Sequence, residues 1–242
     1  MSGFRSFFIN PNNIDNKYFF LDEIESHHLT NVLRLKTDDE IYLIDGVGTA
    51  YRAIIDKISK DIVSGTITEI LSEFGEPFCK INLAIGIIKP SRMQWAIEKA
   101  TECGVDNISP IQMDRSIKNR SFNHKRYHAI IKSSTKQCAR SRIPKIHKTQ
   151  FLKDWLASQI NMPLIVCSQN SKNKISDLYD LLPKNCNKIS LIIGPEGDFS
   201  DNEISILNNY KSIFISLGNR RLRTESAVVS AISIINQQLT GD

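Results

Sequence analysis

Two short apolar runs near the C-terminus, each followed at once by a glycine-containing loop, constrain the fold of this chain more than any other feature. The first run, residues 189–193, is too short for a helix and almost entirely apolar, which is typical of a strand buried on both faces. In the loop that follows, residues 194–200, Gly194 and Gly197 would permit positive φ and let a ligand approach the bare backbone. Ser200 and Glu203 fit a capping box, so a helix is predicted to begin there.

The same plan is repeated further along the chain. Residues 213–217 form a second apolar run, Gly218 ends it, and Thr224 is a candidate N-cap for a helix. The apolar residues of that helix fall on one face: Val228, Ala231, Ile232, Ile235 and Leu239. Two such units side by side place both loops at the carboxyl edge of a parallel sheet, where α/β proteins bind ligands.

Acidic side chains in the first loop indicate the kind of ligand. Glu196 and Asp198 would repel a phosphate group, and the glycines are not followed by the lysine and hydroxyl residue of a phosphate loop. A cationic or zwitterionic ligand suits this loop better, and S-adenosylmethionine fits that description. The alternative is that both segments are ordinary strand-to-helix turns whose glycines serve geometry alone, and the spacing by itself leaves both interpretations open.

Residues 191–200 (LIIGPEGDFS) and 217–227 (LGNRRLRTESA) resemble the paired signature of the bacterial small-subunit ribosomal RNA uracil-N3 methyltransferases, the RsmE family of the SPOUT class. The resemblance implies an α/β protein with a SPOUT-type trefoil-knotted parallel sheet and an N-terminal PUA-like β-barrel. It also implies S-adenosyl-L-methionine as cofactor, a homodimer, and 16S ribosomal RNA in the small ribosomal subunit as substrate. The residues that would bind the cofactor lie in the two loops: Ile193, Gly194, Pro195, Glu196, Gly197, Leu217, Gly218, Leu222 and Thr224.

The sequence departs from the family pattern at three positions. Lys136 stands where a family motif opens with Glu, Asp198 where the family usually has Gly, and Ser226 where it has Thr. Asp tolerates the left-handed conformation better than most residues, so the turn at Asp198 is expected to form with an altered local charge.

The implied reaction predicts which side chains would act. Uracil N3 is a weakly acidic imide nitrogen, so methylation needs a base for the N3 proton and a cation for the charge that spreads onto two carbonyl oxygens. Glu196 and Glu225 are the carboxylates available in the two loops, and Arg221 and Arg223 are candidate cations. We predict Glu196 and Arg223 as catalytic residues and no metal. For Glu225 the alternative is a favourable interaction with a helix N-terminus.

The first seventy or so residues predict a small β-barrel. Short runs rich in β-branched and aromatic residues are separated by turn residues such as those at 45–48. The strands are expected at residues 7–9, 18–21, 40–44, 51–58 and 62–70, with one helix at 26–35. We assign residues 1–72 to a PUA-like RNA-binding barrel, in which the resemblance makes Arg5, Arg34 and Arg52 candidate phosphate contacts.

Gly75 and Pro77 mark the boundary to a second domain, residues 78–242, predicted to be the SPOUT methyltransferase domain with its C-terminal knot. Strands and helices alternate beyond this boundary, which argues for a parallel sheet covered by helices. The clearest elements are a strand at 81–88, a helix at 92–103, a strand at 108–113 and a helix at 124–138. Lys89 and Arg92, at the end of the first of these strands, are candidate RNA-binding residues.

Positive charge is concentrated in one segment. Residues 115–148 hold eleven lysines and arginines and no aspartate or glutamate, which leaves 20 basic against 26 acidic residues elsewhere, a net charge of −6. A solvated helix face is the usual interpretation of a charge run, but a segment this long without a carboxylate favours a polyanion, and RNA is the natural partner. Arg115, Arg120, Arg140 and Arg142 are therefore candidate RNA-binding residues.

Composition argues against several other classes of protein. The first ten residues lack the apolar core of a signal peptide and the longest apolar runs are too short to span a bilayer, so a cytoplasmic protein is expected. The five cysteines are scattered and never in Cys-x-x-Cys spacing, which indicates neither a disulfide framework nor a zinc site. The alternative function is a non-catalytic RNA-binding ribosome assembly factor, which would bind RNA but not S-adenosylmethionine.

Overall fold

The computed structural model describes residues 5–59, 62–117, 122–159 and 161–240. The chain divides into two compact units between Glu76 and Pro77, inside the boundary segment that the sequence marks. The first unit also includes Lys132–Ile143, and the second comprises Pro77–Ile131 and the chain from Pro144 onward. The sequence pattern does not indicate that Lys132–Ile143 belongs to the first unit. Arg120 lies outside the described residues.

The first unit is built on a mixed sheet that, among the described residues, has six strands in the order β1-β4-β5-β6-β3-β2. The strands are β1 Ser6–Phe8, β2 Ile14–Asp15, β3 Tyr18–Phe20, β4 Glu40–Ile44, β5 Thr49–Ile58 and β6 Val63–Ser72. β1 and β4 are parallel and the other neighbours antiparallel. The register of β5 and β6 shifts twice, and such irregularities bend a strand. The sheet forms a half-barrel with β1 and β2 at its edges, which is the predicted PUA-like barrel in an open form.

Alternating apolar side chains, including Phe7, Ile41 and Ile55, form the core of this unit. The helical segment begins earlier than predicted, as α1 Glu23–His27 followed by a π-helical turn over His28–Val32. It does so because the Asp22 carboxylate accepts a hydrogen bond from the backbone N–H of Glu25 at 2.8 Å and caps the helix.

The second unit is built on a sheet whose strands, seven in the described part of the chain, all pair in parallel. The order is β10-β8-β7-β12-β11-β13, with β9 beside β8. The strands are β7 Lys80–Gly86, β8 Asn107–Gln112, β9 Lys145–Ile146, β10 Gln150–Phe151, β11 Leu164–Cys167, β12 Lys188–Ile193 and β13 Ile213–Ile215. The predicted parallel sheet is therefore confirmed.

Helices alternate with these strands, as the sequence predicts, except that the described chain has no helix between β9 and β10. They are α2 Pro90–Glu102, α3 His124–Gln137, α4 Leu152–Ala157, α5 Leu178–Leu181, α6 Asp201–Asn209 and α7 Thr224–Gln238. Along the chain, α3 passes from the second unit into the first after Ile131. None of the helices in the described ranges has the length and apolar character needed to cross a membrane.

The first apolar run identified in the sequence is β12. It is buried at every position from Ile189 to Ile193, as predicted for a strand covered on both faces. Strand β12 lies between β7 and β11, and β11 lies between β12 and β13. The ends of three adjacent parallel strands therefore meet at one edge of the sheet, at Cys167, Ile193 and Ile215.

Candidate active site

A cavity of about 260 Å³ opens where β11, β12 and β13 end. The last residues of β11 and β12, the segments that follow the three strands, and one residue of α2 supply its walls. The lining residues are Arg92, Cys167, Ser168, Gln169, Ile193, Gly194, Pro195, Glu196, Asp198, Leu217, Gly218, Arg220, Arg221, Leu222, Arg223, Thr224 and Ala227. They include both predicted catalytic residues and every predicted cofactor-binding residue except Gly197.

The residues after β11 are missing from the sequence-based prediction. Cys167, Ser168 and Gln169 line the cavity together with the two glycine loops. Cys167 ends a run of four buried apolar residues, Leu164–Cys167, and Ser168 and Gln169 follow it, so the strand-end argument applied to the other loops would also have found them. This third segment contains no glycine at the strand end, and the glycine pattern therefore gives no signal there.

The first loop, residues 194–200, turns at Asp198. This residue has φ +62°, and its N–H donates to the carbonyl of Pro195 at 2.9 Å. Its carboxylate accepts a hydrogen bond from the N–H of Phe199 at 2.9 Å, which shows how Asp replaces the family's Gly in a left-handed turn. Gly194 and Gly197, which would permit positive φ, do not adopt it, and Asp198 is the residue of this loop that has a positive φ. The capping box of Ser200 and Glu203 is confirmed.

Side chains from outside the first loop occupy its carbonyl oxygens. The Thr224 hydroxyl donates to the Gly194 carbonyl at 3.0 Å, and Arg221 Nη2 donates to the Glu196 carbonyl at 3.2 Å. Thr224 is the first residue of α7 and Arg223 its N-cap, so the predicted capping role of Thr224 is wrong. Its hydroxyl instead joins the segment after β13 to the segment after β12.

Gly197 makes room for a protein side chain. Arg115 Nη1 donates to the Gly197 carbonyl at 2.7 Å, and a Cβ built on Gly197 would lie 3.0 Å from the Cβ of Arg115. Because Gly197 has no side chain, Arg115 can pack against it. The role predicted for Gly197 was contact with the cofactor. Arg115, which the sequence predicts to contact RNA, is therefore hydrogen-bonded to this loop.

Arg92 lies between two carboxylates at the cavity. Its Nη1 is 2.5 Å from Oε1 of Glu196, and its Nε is 3.6 Å from Oε1 of Glu225. The Arg92 and Glu196 side chains are about one-third exposed, whereas that of Glu225 is only 12% exposed. The other oxygen of Glu225, Oε2, is buried and has no hydrogen-bond partner among the described residues.

The second loop brings three arginines to the same cavity. Arg220, Arg221 and Arg223 all line it and are exposed. Arg221 is engaged with the Glu196 carbonyl, whereas Arg220 and Arg223 have no hydrogen bond or ion pair from their side chains to other described residues. Of the two cations predicted to stabilise developing negative charge, Arg223 is therefore the one whose guanidinium is available.

The composition of the cavity fits S-adenosylmethionine. A Cβ built on Gly218, where φ is +117°, would meet no atom within 4 Å, so the space beside this peptide group is open. Ile193, Leu217 and Leu222 offer apolar surface for an aromatic ring, and Glu196 offers a counter-charge for a cation. The donor set thus suits a ligand that combines an apolar ring with positive charge and a zwitterionic end.

Covalent catalysis by a thiolate does not suit this cavity. Burial raises the pKa of the Cys167 thiol to about 12, so the thiol stays protonated at neutral pH. In the described part of the chain, no group of three or more His, Cys, Asp or Glu side chains is arranged to hold a metal ion.

Part of the basic segment is neutralised by carboxylates from elsewhere in the first unit. Three of its cations form ion pairs: Arg140 with Glu76, Arg142 with Glu73, and Lys136 with Glu25. The side chains of Arg140 and Glu76 are only 3% and 6% exposed. Arg140 is therefore a structural residue and not a phosphate contact. The absence of acidic residues within residues 115–148 does not mean that the charge is unopposed.

Lys136, at the position of the family's Glu, is accommodated by Glu25 and His28. Its Nζ lies 2.7 Å from Glu25 Oε2 and 3.2 Å from His28 Nδ1. Burial, and then the Lys136 charge, lower the pKa of His28, so the neutral ring accepts a hydrogen bond from the ammonium group.

The remaining RNA-binding candidates differ in how far their charges are engaged. Arg5 lies 3.8 Å from Asp39, and Arg52 lies 3.0 Å from Glu69. Arg34 and Lys89 are exposed, and neither side chain pairs with a carboxylate in the described ranges.

Gly86, the last residue of β7, provides a test of the loop geometry. A Cβ at this position would lie 2.6 Å from the nitrogen and 2.7 Å from the Cδ of Pro195, so Gly86→Ala must displace the first loop. Overpacking typically costs about 1–3 kcal/mol, and affinity for S-adenosylmethionine is expected to fall on the order of tenfold or more. Isothermal titration calorimetry measures this loss. Ile81→Val, at the other end of β7, is the control for lost stability without contact to the loop, and equal affinity of both variants would contradict the prediction.

Comparisons with known proteins agree with this geometry. Residues 75–236 match the family model of an RNA methyltransferase domain, and residues 21–68 match that of an RNA methyltransferase PUA domain. Ribosomal RNA small subunit methyltransferase E of Rickettsia conorii is 32% identical over 210 residues, covering 86% of this chain and 84% of that protein. The protein of the same name from Buchnera aphidicola subsp. Acyrthosiphon pisum is 33% identical over 238 residues, covering 94% and 90%.

A solved structure extends the likeness to three dimensions. The crystal structure of a ribosomal RNA small subunit methyltransferase E from Neisseria gonorrhoeae, bound to S-adenosyl methionine, has a TM-score of 0.84 and 25% identity to this chain. The match covers 97% of both chains. The resemblance seen in the two loop motifs is thus confirmed over nearly the full length. This chain belongs to the RNA methyltransferase family and, within it, to the ribosomal RNA small subunit methyltransferase E proteins, the RsmE family.

Proposed function

We propose that this protein transfers a methyl group from S-adenosylmethionine to N3 of a uridine in 16S ribosomal RNA of the small subunit. The observation that carries the proposal is a single cavity lined by both loop motifs, with a carboxylate at Glu196 and a guanidinium at Arg223 that pairs with no other described residue. Membership of the RsmE family supports both the enzyme class and the RNA substrate.

The cofactor would be held mainly by backbone groups and apolar side chains. Gly218 leaves its peptide group accessible, and Ile193, Leu217 and Leu222 contribute apolar surface. When bound, S-adenosylmethionine supplies an electrophilic methyl group on a sulfonium sulfur together with its own leaving group. The structure of the Neisseria gonorrhoeae relative, which is bound to S-adenosyl methionine, supports this assignment.

Glu196 and Arg223 would share the chemistry at the uracil ring. Oε1 of Glu196 is held by Arg92, so Oε2 is the oxygen available to accept the N3 proton. Arg223 would stabilise the negative charge that develops on the carbonyl oxygens as the proton leaves. The target base must be unstacked or single-stranded for N3 to reach these groups.

Exposed cations would hold the RNA by its phosphates. Arg34 in the first unit and Lys89 in the second are the strongest of the predicted contacts, since neither is paired with a carboxylate in the parts of the chain that the structure describes. At Arg5 and Arg142 a phosphate would compete with Asp39 and Glu73, respectively. The match of residues 21–68 to a PUA domain model supports an RNA-binding role for the first unit.

We further propose a trefoil knot, a homodimer and a cytoplasmic location, as in the SPOUT class. In support of the knot, β12 lies between β7 and β11, although it follows both in the chain. In support of the dimer, Val229 and Ile234 of α7 are only partly buried and add apolar surface beyond the core-facing stripe. Light scattering that shows a monomer at micromolar concentration would count against the dimer.

The test of the activity is nucleoside mass spectrometry of small ribosomal subunits from a strain that lacks the methylation. Incubation with the protein and S-adenosylmethionine is expected to produce 3-methyluridine. A methyl group on a ribose oxygen or on uracil C5 would overturn the N3 assignment. RNA binding without any affinity for S-adenosylmethionine in calorimetry would favour the non-catalytic assembly factor.

A further inference from the structure

Three charged side chains from three different segments meet at the cavity. Glu196 comes from the loop after β12, Arg92 from the first turn of α2, and Glu225 from the first turn of α7. Arg92 uses two different nitrogens, Nη1 toward Glu196 at 2.5 Å and Nε toward Glu225 at 3.6 Å. One guanidinium therefore lies between both carboxylates.

We propose that Glu225, Arg92 and Glu196 form an orienting chain for proton transfer. The inference rests on the proposed function, because it assigns Glu196 as the acceptor of the uracil N3 proton. Arg92 is a positioning residue that fixes the Glu196 carboxylate by binding Oε1, and Glu225 fixes the guanidinium from its other side. A reacting side chain held by a second group, itself held by a third, is a recurrent arrangement in active sites.

The planar shape of the guanidinium suits Arg92 to this role. Its N–H donors lie in fixed directions within one plane, so Nη1 can donate to Glu196 while Nε stays within ion-pair distance of Glu225. A lysine ammonium is a single point charge and cannot contact two carboxylates in separate directions with the same rigidity. Arg92→Lys is therefore expected to restore only part of the function lost on removing the charge.

The burial of Glu225 supports its place at the end of the chain. Its side chain is 12% exposed, and Oε2 has no hydrogen-bond partner within the described ranges. The positive end of the helix dipole stabilises a carboxylate in the first turn of α7. That stabilisation requires neither burial of the carboxylate nor a position beside Arg92. The nearby guanidinium offsets the cost of burying this charge, and Glu225 thereby confines Arg92 to the cavity.

An alternative role for Arg92 is contact with an RNA phosphate, and the two roles predict different kinetics. If Arg92 acts through Glu196, Arg92→Met lowers kcat on the order of 10- to 100-fold, as loss of an orienting partner typically does. The Kd for S-adenosylmethionine and the KM for the RNA change by smaller factors. Glu225→Gln changes kcat in the same direction but less. A higher KM for the RNA with unchanged kcat would instead assign Arg92 to a phosphate.

A double-mutant cycle with Glu196→Ala decides the inference. Since Arg92 acts through Glu196, adding Arg92→Met to Glu196→Ala is expected to cause little further loss of kcat. A double variant whose loss of kcat equals the product of the two single losses would overturn the orienting chain. An Arg92→Lys enzyme with wild-type kcat would overturn it too. Lys99→Met is the matched control, because Lys99 lies on the same helix, pairs with Glu98 and Glu102, and does not line the cavity.

The wild-type protein separates failure of this inference from failure of the proposed function. Formation of 3-methyluridine by the wild type together with multiplicative losses in the cycle would overturn the orienting chain alone. Binding of S-adenosylmethionine without any methyl transfer to N3 would overturn both.

Discussion

Replacement of Arg223 by alanine is expected to lower the rate of methyl transfer by about 10²–10³-fold, the typical cost of losing one charge-stabilising donor. Arg223 lines the cavity, is exposed, and pairs with no carboxylate in the described part of the chain, so its guanidinium is available to the uracil oxygens. Its charge would act on the anion that develops during transfer, so the Kd for S-adenosylmethionine should change little. Single-turnover kinetics on small ribosomal subunits, with calorimetry for the cofactor, measure the two quantities separately.

Arg221→Ala provides the contrasting variant. Arg221 comes from the same loop, but it donates to the Glu196 carbonyl at 3.2 Å and so helps to hold the first loop. Its removal is expected to weaken cofactor binding more than the chemical step. Undiminished single-turnover rates in Arg223→Ala would remove Arg223 from the mechanism.

Replacement of Arg140 by alanine is expected to lower the free energy of unfolding by about 3–5 kcal/mol, because it leaves a buried negative charge without its counter-ion. Arg140 Nη2 lies 2.6 Å from Glu76 Oε2, and Nε lies 3.2 Å from the same oxygen. Only 6% of the Glu76 side chain is exposed, so solvent stabilises the remaining carboxylate poorly. Equilibrium unfolding in urea, followed by circular dichroism, measures the change.

Arg142→Ala is the matched control for the Arg140 prediction. Arg142 and Glu73 form a partly exposed ion pair, with side chains 33% and 44% exposed, and exposed pairs contribute only about 0–1 kcal/mol. Equal unfolding free energies for the two variants, with weaker RNA binding in Arg140→Ala, would return Arg140 to the phosphate-binding residues.

The features predicted correctly from sequence are those encoded by neighbouring residues. The almost entirely apolar run at 189–193 identifies a buried strand, because it is too short for a helix. Ser200 and Glu203 stand three positions apart, and their reciprocal hydrogen bonds form within one turn of helix. The left-handed turn at Asp198 also follows from the residue's own conformational preference.

The features missed from sequence depend on partners that are distant in the chain. Arg140 and Glu76 are 64 positions apart, so a count of charges within residues 115–148 cannot detect that this cation is neutralised. Arg115 and Gly197 are 82 positions apart, so the sequence cannot show that a side chain, and not a ligand, needs the space at this glycine. Contacts between residues that are distant in the chain decide these roles, and no pattern of neighbouring residues encodes such contacts.

The hydrogen bonds that hold the first loop also bear on the thermodynamics of cofactor binding. Thr224, Arg221 and Arg115 occupy the carbonyls of Gly194, Glu196 and Gly197. Ordering one backbone residue costs about 1–2 kcal/mol of conformational entropy, and a flexible loop would incur that cost only when its ligand arrives. Here folding has already incurred it, so the loop is preorganised and the contacts made by the cofactor contribute more fully to affinity.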